Sequence, residues 1–198
     1  MLSRILAHTR VTDDARLAGS DTTAISLRAI FYFLIKNPQC YQKQVDEIVQ
    51  AEQAGLLSEH VSYEECLKMP YLQAVMKEAL RLHPGIGFPL ERYVPPEGAN
   101  LCGIDLPGGT IVGVNPHVVH RDREIYGPDA DEFRPERWME SDAGKLKLME
   151  RSFLAVSLEG CYLIGRYFAD LTSSDTVCGP ALVRIFRSWR WASWSLNS

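Results

Sequence analysis

The chain has 198 residues, a formal net charge of −4, 46% apolar residues and 23% charged residues. This length allows one domain with a hydrophobic core, and the composition is ordinary for a globular protein. No nucleic-acid partner is expected, because such a surface needs clustered basic residues. The five cysteines are scattered and odd in number, which argues against a disulfide framework. No Cys/His spacing predicts a zinc site.

The sequence contains no candidate membrane segment. The most apolar run, "AIFYFLI" at residues 29–35, is flanked by Arg28. It is much shorter than the roughly 20 residues that span a bilayer. The first residues, "MLSRILAHTR", show no signal-peptide pattern. We therefore expect this chain to carry no membrane anchor.

Helical periodicity dominates the chain up to about Pro84. The segment "AISLRAIFYFLIK", residues 24–36, is apolar on nearly every side, which predicts a buried helix. Pro38 fits the first turn of a second helix, and Gly55 suits the left-handed position after that helix ends. The apolar stripe of the second helix is expected to consist of Tyr41, Val45, Ile48 and Val49.

Two further helices and a hairpin are predicted downstream. Ser62, with Glu65 three residues later, forms a capping-box pattern for a short helix. The segment "YLQAVMKEALRLH" predicts a helix that ends at His83, because a proline follows. In "NLCGIDLPGGTIVGVN", two short β-type runs flank residues 107–109, which predicts a hairpin with its turn there.

The composition changes near Val156. No lysine follows Lys147, and three of the four tryptophans lie in "WRWASW" at residues 189–194. No helical or strand period is visible in this part. We therefore divide the chain into residues 1–156 and a divergent tail, residues 157–198.

The first candidate functional motif is "AGSDTT", which begins at Ala18. In one interpretation, Ser20 or Asp21 is simply the N-cap of the following helix. In the other, a longer helix passes through the motif, and Gly19 allows a flat group to approach the backbone. Thr22 would then bond a carbonyl one turn earlier, and Asp21 and Thr22 would form a proton relay beside a cavity.

The second and third motifs are "KEALRLHP" and "FRPERW". Glu78 and Arg81 are three residues apart and share one helix face. A solvated ion pair would contribute little there, but the helix is otherwise so apolar that we expect the pair to be buried. A buried pair needs further partners, and Arg137 is the candidate because a guanidinium can bind two partners at once. The alternative is that "FRPERW" is a surface loop with ordinary charges.

These motifs occur in a specific order. An AGxDTT helix precedes a Glu-x-x-Arg helix, and "LPGGT", "HRD" and a PER segment follow. From about Arg16 to about Ala155, the sequence therefore resembles the C-terminal part of a cytochrome P450, a haem-thiolate monooxygenase. The stretch "LERYVPPEGANLCGIDLPGGTIV" looks most like fungal members. The resemblance implies a mainly α fold with small β-sheets, of which this chain is an incomplete C-terminal fragment.

The resemblance assigns roles around a haem. Asp21 and Thr22 correspond to the family's pair that supplies protons for splitting the O–O bond. Ala18 and Gly19 would let the porphyrin approach the helix closely, because neither has a large side chain. Arg92 matches an arginine that pairs with a haem propionate, which would be a charge-assisted contact.

The resemblance also implies a structural network, a cofactor and partners. Glu78, Arg81 and Arg137 correspond to the family's buried network beneath the haem. The implied reaction inserts one oxygen atom into a small apolar organic substrate, with electrons from NADPH passed by a reductase. Fungal members usually reside at the endoplasmic-reticulum membrane. Without an anchor, this chain is expected in the cytoplasm or at an unassigned location.

The family also needs a cysteine thiolate as the iron ligand, within a Phe-x-x-Gly-x-Arg-x-Cys-x-Gly loop. Around Cys161, the positions of Gly, Arg and Gly hold Ser157, Glu159 and Leu163. A carboxylate at the second of these positions would oppose a thiolate. Cys178 matches no better. We therefore expect no metal ligand in this chain, Cys161 included.

Three hypotheses remain from the sequence. The first is a haem-dependent monooxygenase. The second is a truncated, non-catalytic remnant that binds no haem, as expected of a gene fragment or a frame that shifts after about Val156. The third is an unrelated helical domain that carries these motifs by coincidence.

Overall fold

The computed structural model describes residues 24–155, which form eight helices and four short strands. The helices are α1 (residues 24–36), α2 (Pro38–Gln53), α3 (Tyr63–Leu67), α4 (Pro70–Leu82), α5 (Pro116–Val119), α6 (Arg123–Tyr126), α7 (Arg137–Glu140) and α8 (Ala143–Arg151). The strands are β1 (Leu90–Tyr93), β2 (Ala99–Leu101), β3 (Ile104–Leu106) and β4 (Ile111–Val114). The predicted class, mainly helical with small sheets, is confirmed.

The junction between α1 and α2 follows the local signals of the sequence. Pro38 occupies the first turn of α2, and the Asn37 side-chain amide donates a 2.7 Å hydrogen bond to the Phe33 carbonyl. At the other end of α2, Gly55 has a φ of 68°. The Gly55 amide donates to the Glu52 carbonyl, and the Leu56 amide donates to the Ala51 carbonyl. These are the two bonds of a Schellman motif, so the predicted end of α2 is confirmed.

Helix α1 is buried on one side only. Ile30 and Leu34 are fully buried in a core cluster with residues of α2 and α4. Tyr32 and Ile35, on the other side, are 55% and 59% exposed. The expectation of a helix buried all round is therefore wrong for these residues. Within residues 24–155, the packed elements cover only one face of α1.

The buried stripe of α2 is rotated from the predicted one. Cys40, Gln44 and Ile48 are the buried residues, whereas Tyr41 and Val45 are half-buried at the edge of the core. The prediction overlooked Gln44 because its side chain is polar. Its amide donates a 3.3 Å hydrogen bond to Glu47 on the next turn.

Two helices downstream begin at well-defined caps. The Ser62 side chain accepts from the Glu65 amide, and the Glu65 carboxylate accepts from the Ser62 amide, so the predicted capping box is confirmed. Helix α4 has no side-chain cap of its own. The Glu47 carboxylate of α2 instead accepts from the amides of Tyr71 and Leu72, at 2.7 and 2.9 Å. Helix α4 ends at Leu82, with His83 as its cap, as predicted.

The four strands form two separate antiparallel pairs. β1 pairs with β4, with Leu90 opposite Val114, and β2 pairs with β3, with Ala99 opposite Leu106. The turn between β2 and β3 consists of Cys102 and Gly103, with φ of 53° and 82°. Two successive positive φ values are typical of a type I′ turn.

The predicted hairpin turn at residues 107–109 is therefore wrong. This segment leads from β3 to β4, which pairs with the earlier strand β1. The Gly109 amide donates to the Val94 carbonyl, and the Val94 amide donates to the Thr110 carbonyl. These bonds hold the segment against the end of β1. The prediction failed because a non-glycine residue, Cys102, takes the first left-handed position of the true turn.

A second core cluster lies where α4, α6, α7 and α8 meet. Its buried members are Ala74, Tyr126, Ala130, Trp138 and Met149. Across residues 24–155, none of the helices has both the length and the apolar character that a membrane span requires. The two clusters flank the charged side chains described next.

Candidate functional site

The structure describes some of the predicted site residues and not others. Residues Ala18, Gly19, Asp21, Thr22 and Cys161 lie outside the described range, residues 24–155. Their assigned roles remain predictions. Glu78, Arg81, Arg92 and Arg137 lie within that range.

Glu78, Arg81 and Arg137 are in direct contact, and all three side chains are fully buried. Arg81 Nε donates to Glu78 Oε2 at 2.9 Å, and Arg81 Nη2 donates to Glu78 Oε1 at 2.8 Å. This is the bidentate geometry that a planar guanidinium favours. From the start of α7, Arg137 Nε donates to Glu78 Oε1 at 2.9 Å. One carboxylate therefore holds two guanidinium groups. Arg137 is buried at the start of a short helix, so the alternative of a surface loop with ordinary charges is wrong.

Two further donors complete the environment of Glu78. The Arg134 backbone amide donates to Oε1 at 3.0 Å, and the Trp138 indole Nε1 donates to Oε2 at 2.9 Å. Glu78 thus accepts five hydrogen bonds, three on one oxygen and two on the other. A buried carboxylate needs this degree of satisfaction, because an unpaired charge inside a protein is very costly.

The remaining donors of the two arginines bind backbone carbonyls. Arg81 donates to the carbonyls of His120, Ala130 and Glu132. Arg137 donates to the carbonyls of Tyr126, Asp129 and Glu132. Loop segments lack the internal hydrogen bonds of helices and strands, so their carbonyls must find other partners. The two guanidinium groups supply those partners and fix residues 120–132 against α4.

Asp129 extends the network towards the surface. Its carboxylate accepts from Arg137 Nη1 at 3.1 Å and lies 2.9 Å from Arg134 Nε. Burial of this group opposes its ionisation, but the attraction of Arg137 and Arg134 outweighs burial and holds the pKa of the Asp129 carboxyl below its ordinary value. Asp129 therefore stays ionised and balances part of the arginine charge.

His120 links the network to the last described residues. The Leu154 amide donates to His120 Nε2 at 2.8 Å, which makes Nε2 an acceptor. The proton of the neutral ring is then on Nδ1, which donates to the Arg81 carbonyl at 2.9 Å. Phe153 stacks on the same ring, with centroids 5.4 Å apart. Burial, aided by the nearby Arg81 and Arg121 charges, lowers the pKa of His120 to about 4.

The roles of Trp138 and His120 were not predicted from the sequence. Trp138 directly follows Arg137 in "FRPERW", and an indole N–H next to a network arginine is a donor that could have been considered. His120 precedes "RD" in "PHVVHRD", but nothing local distinguishes a neutral buried histidine from a surface one. Both residues act through contacts with segments distant in sequence.

Arg92 is exposed on strand β1. Its Nη1 donates a 2.7 Å hydrogen bond to the neighbouring Glu91 carbonyl. Strand β1 also presents Tyr93, and the partner strand presents Ile111 and Val114, all three largely exposed. In the β1–β4 register, Arg92 lies opposite Val112 and Tyr93 lies opposite Ile111, so Arg92 and Tyr93 point to opposite faces. The pairing of Arg92 with a haem propionate remains a prediction.

The cysteines between residues 24 and 155 do not fit an axial thiolate. Burial raises the pKa of the Cys40 thiol, and it raises the pKa of the Cys66 thiol to about 11. Both side chains are packed inside the first core cluster, so a haem could not approach either sulfur without displacing core side chains. Cys102 is exposed in the β2–β3 turn. The same residues contain no cluster of three or more His, Cys, Asp or Glu side chains that could hold a metal ion.

Comparison with known proteins identifies the family of the chain. The profile of the family "Cytochrome P450" matches residues 8–155, which is most of the chain. The chain belongs to the cytochrome P450 family. The recognition made from the Glu78–Arg81 helix and the PER segment is therefore confirmed, and so is its fungal character.

Three fungal relatives illustrate the similarity of this cytochrome P450 chain to curated proteins. A "Cytochrome P450 monooxygenase" from Aspergillus terreus is 44% identical over 167 residues, which cover 84% of this chain and 34% of the relative. "Cytochrome P450 monooxygenase cicH" from Emericella nidulans is 50% identical over 137 residues, 69% of this chain and 27% of the relative. "Cytochrome P450 monooxygenase cfoH" from Aspergillus candidus is 37% identical over 202 residues, 93% of this chain and 37% of the relative. The chain thus spans about a third of the length of these relatives.

Proposed function

We propose that this cytochrome P450 acts in haem-dependent monooxygenation. It would insert one atom of dioxygen into a small apolar organic substrate, with electrons from NADPH delivered by a reductase. The observation that carries this proposal is the buried Glu78–Arg81–Arg137 network in a chain that is 37–50% identical to three fungal cytochrome P450 monooxygenases. Its cellular location remains a prediction.

In this proposal, the described residues provide the scaffold, and the motif at residues 18–23 provides the groups that take part in the chemistry. Glu78, Arg81 and Arg137 hold residues 120–132 in one arrangement, and His120 holds the Leu154 amide. Asp21 and Thr22 are proposed to supply protons. Arg92 is proposed to bind a propionate, and Ala18 and Gly19 to line the haem.

The non-catalytic alternative has one observation in its favour. The sequence around Cys161 lacks the family's loop pattern, and Cys40 and Cys66 are packed inside the core. The cysteines between residues 24 and 155 and the sequence around Cys161 therefore do not fit the axial position of the haem.

A chimera separates the two possibilities. Residues 8–155 of this chain would replace the corresponding segment of the Aspergillus terreus monooxygenase, which keeps its own cysteine loop. We expect the chimera to show the reduced carbon-monoxide band of thiolate-bound haem and to oxidise the relative's substrate. Asp21→Asn and Thr22→Ala in the chimera should lower substrate oxidation while leaving that band intact.

Two outcomes would count against the proposal. One is a chimera that folds but shows no thiolate band. The other is full substrate oxidation by the Asp21→Asn and Thr22→Ala variants. For the 198-residue chain itself, a thiolate band that disappears in Cys161→Ser would refute the remnant alternative, and absence of any haem uptake would support it.

A further inference from the structure

The buried ring of His120 makes two hydrogen bonds of opposite direction, one to helix α4 and one to the segment that follows α8. Its Nδ1 donates to the Arg81 carbonyl at 2.9 Å, and its Nε2 accepts from the Leu154 amide at 2.8 Å. A neutral ring with its proton on Nδ1 satisfies both partners, whereas a doubly protonated ring has donors only. A second proton on the ring therefore breaks the bond to Leu154 and keeps the bond to Arg81.

Phe153 and Leu154, which we call the latch segment, have few other attachments. Between residues 24 and 155, the second hydrogen bond of the segment runs from the Phe153 amide to the Glu150 carbonyl at 3.2 Å. The Phe153 ring stacks on His120 and lies edge-on to Trp138 at 5.5 Å. Both residues of the segment are half-buried. Because they bury less surface than the core helices, the latch segment can detach at a lower free energy than the core needs to unfold.

The surroundings of His120 favour the neutral ring as long as the latch segment is attached. Burial is the main cause that lowers the pKa of His120 to about 4. The charges of Arg81 on α4, His117 on α5 and the adjacent Arg121 act in the same direction, and the bond to the Arg81 carbonyl opposes them. On α6, Tyr126 faces the ring edge-on at 6.3 Å, and burial raises its own pKa, so it stays neutral. Detachment of the segment would open one side of the ring to water and relieve the main cause.

We propose that His120 is a pH-sensitive latch that holds residues 153–154 while its ring is neutral and releases them when Nε2 takes up a proton. Helices α4, α6 and α7 keep their packing in the released state, since the bond from Nδ1 to the Arg81 carbonyl remains. The latch is independent of the proposed oxygenation, because its parts are this chain's own side chains and main chain.

Amide hydrogen exchange of the 198-residue chain, followed by NMR at several pH values, measures the release. Between about pH 6.5 and about pH 4.5, the opened segment binds a proton that the closed one excludes, so the protection factor of the Leu154 amide should fall about tenfold per pH unit. The amides of α4 are the internal control and should stay more strongly protected at every pH. In His120→Gln, which has no proton to bind in this range, the protection of Leu154 should not depend on pH. His60→Gln, at an exposed position, should behave like the parent chain.

A second pair of variants tests the latch from its other side and keeps the histidine. Leu154→Pro removes the N–H that Nε2 accepts, so the neutral ring loses a partner and the pKa of His120 should rise towards its ordinary value of about 6.5. Leu154→Ala keeps that N–H and should change the pKa much less. Titration of the His120 ring signals by NMR measures both, and the circular dichroism spectra must match that of the parent chain.

Three results would overturn the proposal. The first is a protection factor of Leu154 equal to those of the α4 amides at each pH, since the release would then be unfolding of the whole core. The second is the same pH dependence of Leu154 protection in the parent chain and in His120→Gln. The third is an equal pKa of His120 in Leu154→Pro and Leu154→Ala.

Discussion

The Trp138 indole donates a 2.9 Å hydrogen bond to the Glu78 carboxylate, 60 residues earlier in the chain. This bond joins the aromatic cluster of α6, α7 and α8 to the charged network of α4. Tyr126 and Phe153 pack edge-on against the same indole, at 6.2 and 5.5 Å. One side chain thus belongs both to the apolar core and to the charge network.

Trp138→Phe separates these two roles. Phenylalanine keeps the aromatic packing but removes the donor, which leaves one oxygen of Glu78 with a single hydrogen bond. Because hydrogen bonds to charged groups contribute more than neutral ones, we expect a loss of about 2 kcal/mol in the free energy of unfolding. Chemical denaturation measures this value. Tyr126→Phe, which removes a neutral 3.3 Å bond to the Met149 carbonyl, is the control and should cost less than half as much.

Glu78→Gln tests the network as a whole. The amide cannot neutralise Arg81 and Arg137, and it presents an NH₂ group to donors. Breaking a buried ion pair in this way costs about 3–5 kcal/mol, so we expect the variant to unfold at much lower denaturant concentration or to be largely unfolded. Glu132→Gln is the matched control, since Glu132 takes part through its backbone carbonyl and its side chain is exposed. A stable Glu78→Gln chain would contradict this account of the core.

His120 predicts a pH dependence of stability with a definite sign. Its pKa is about 4 in the folded chain and about 6.5 when unfolded. Between these values the unfolded state binds the additional proton, so stability is complete above pH 6.5 and decreases as the pH falls towards 4, by at most about 3 kcal/mol.

His120→Gln has no proton to bind in this range. Its stability relative to the parent chain should therefore rise steadily as the pH is lowered from 7 to 4, whatever its value at neutral pH. Urea denaturation of both chains at several pH values measures this difference. His60→Gln, at an exposed position, is the control. A constant difference between parent and His120→Gln across the range would disprove the role assigned to His120.

Glu47 of α2 caps the N-terminus of α4, and its replacement tests how much this cap contributes to stability. Glu47→Ala leaves the amides of Tyr71 and Leu72 without their acceptor. Loss of an N-cap costs about 1–2 kcal/mol, which thermal or chemical denaturation will resolve. Gln50→Ala on the exposed side of the same helix should have an effect of less than about 0.5 kcal/mol. If both variants behave alike, the cap contributes nothing to stability.

Local signals allowed part of this fold to be predicted from the sequence. Helix starts and ends depend on contacts within a few residues. The structure confirms those predicted from Pro38, Gly55 and the Ser62–Glu65 pair. Burial of Glu78 and Arg81 was also deducible, since an apolar helix leaves its charged residues little exposure. These predictions needed no knowledge of distant segments.

The rest depends on contacts that no local rule contains. The β2–β3 turn lies at Cys102 because that residue adopts a backbone conformation rare outside glycine. Strand β4 pairs with β1 rather than with its neighbour in sequence. Trp138 and His120 acquire their roles from Glu78 and Leu154, which lie 60 and 34 residues away. In each case the sequence shows which groups the side chain can bind, but it does not show which distant residue it binds.

The two network arginines bind five backbone carbonyls, those of His120, Tyr126, Asp129, Ala130 and Glu132. Many buried ion pairs can be exchanged for hydrocarbon side chains of equal volume without loss. Such an exchange is closed to this chain, since leucine or methionine would remove the arginine donors from all five carbonyls; of these, the Asp129 carbonyl would keep the Glu132 amide as a donor. A variant that replaces Arg81 and Arg137 must therefore also change the segment of residues 120–132 whose carbonyls they bind.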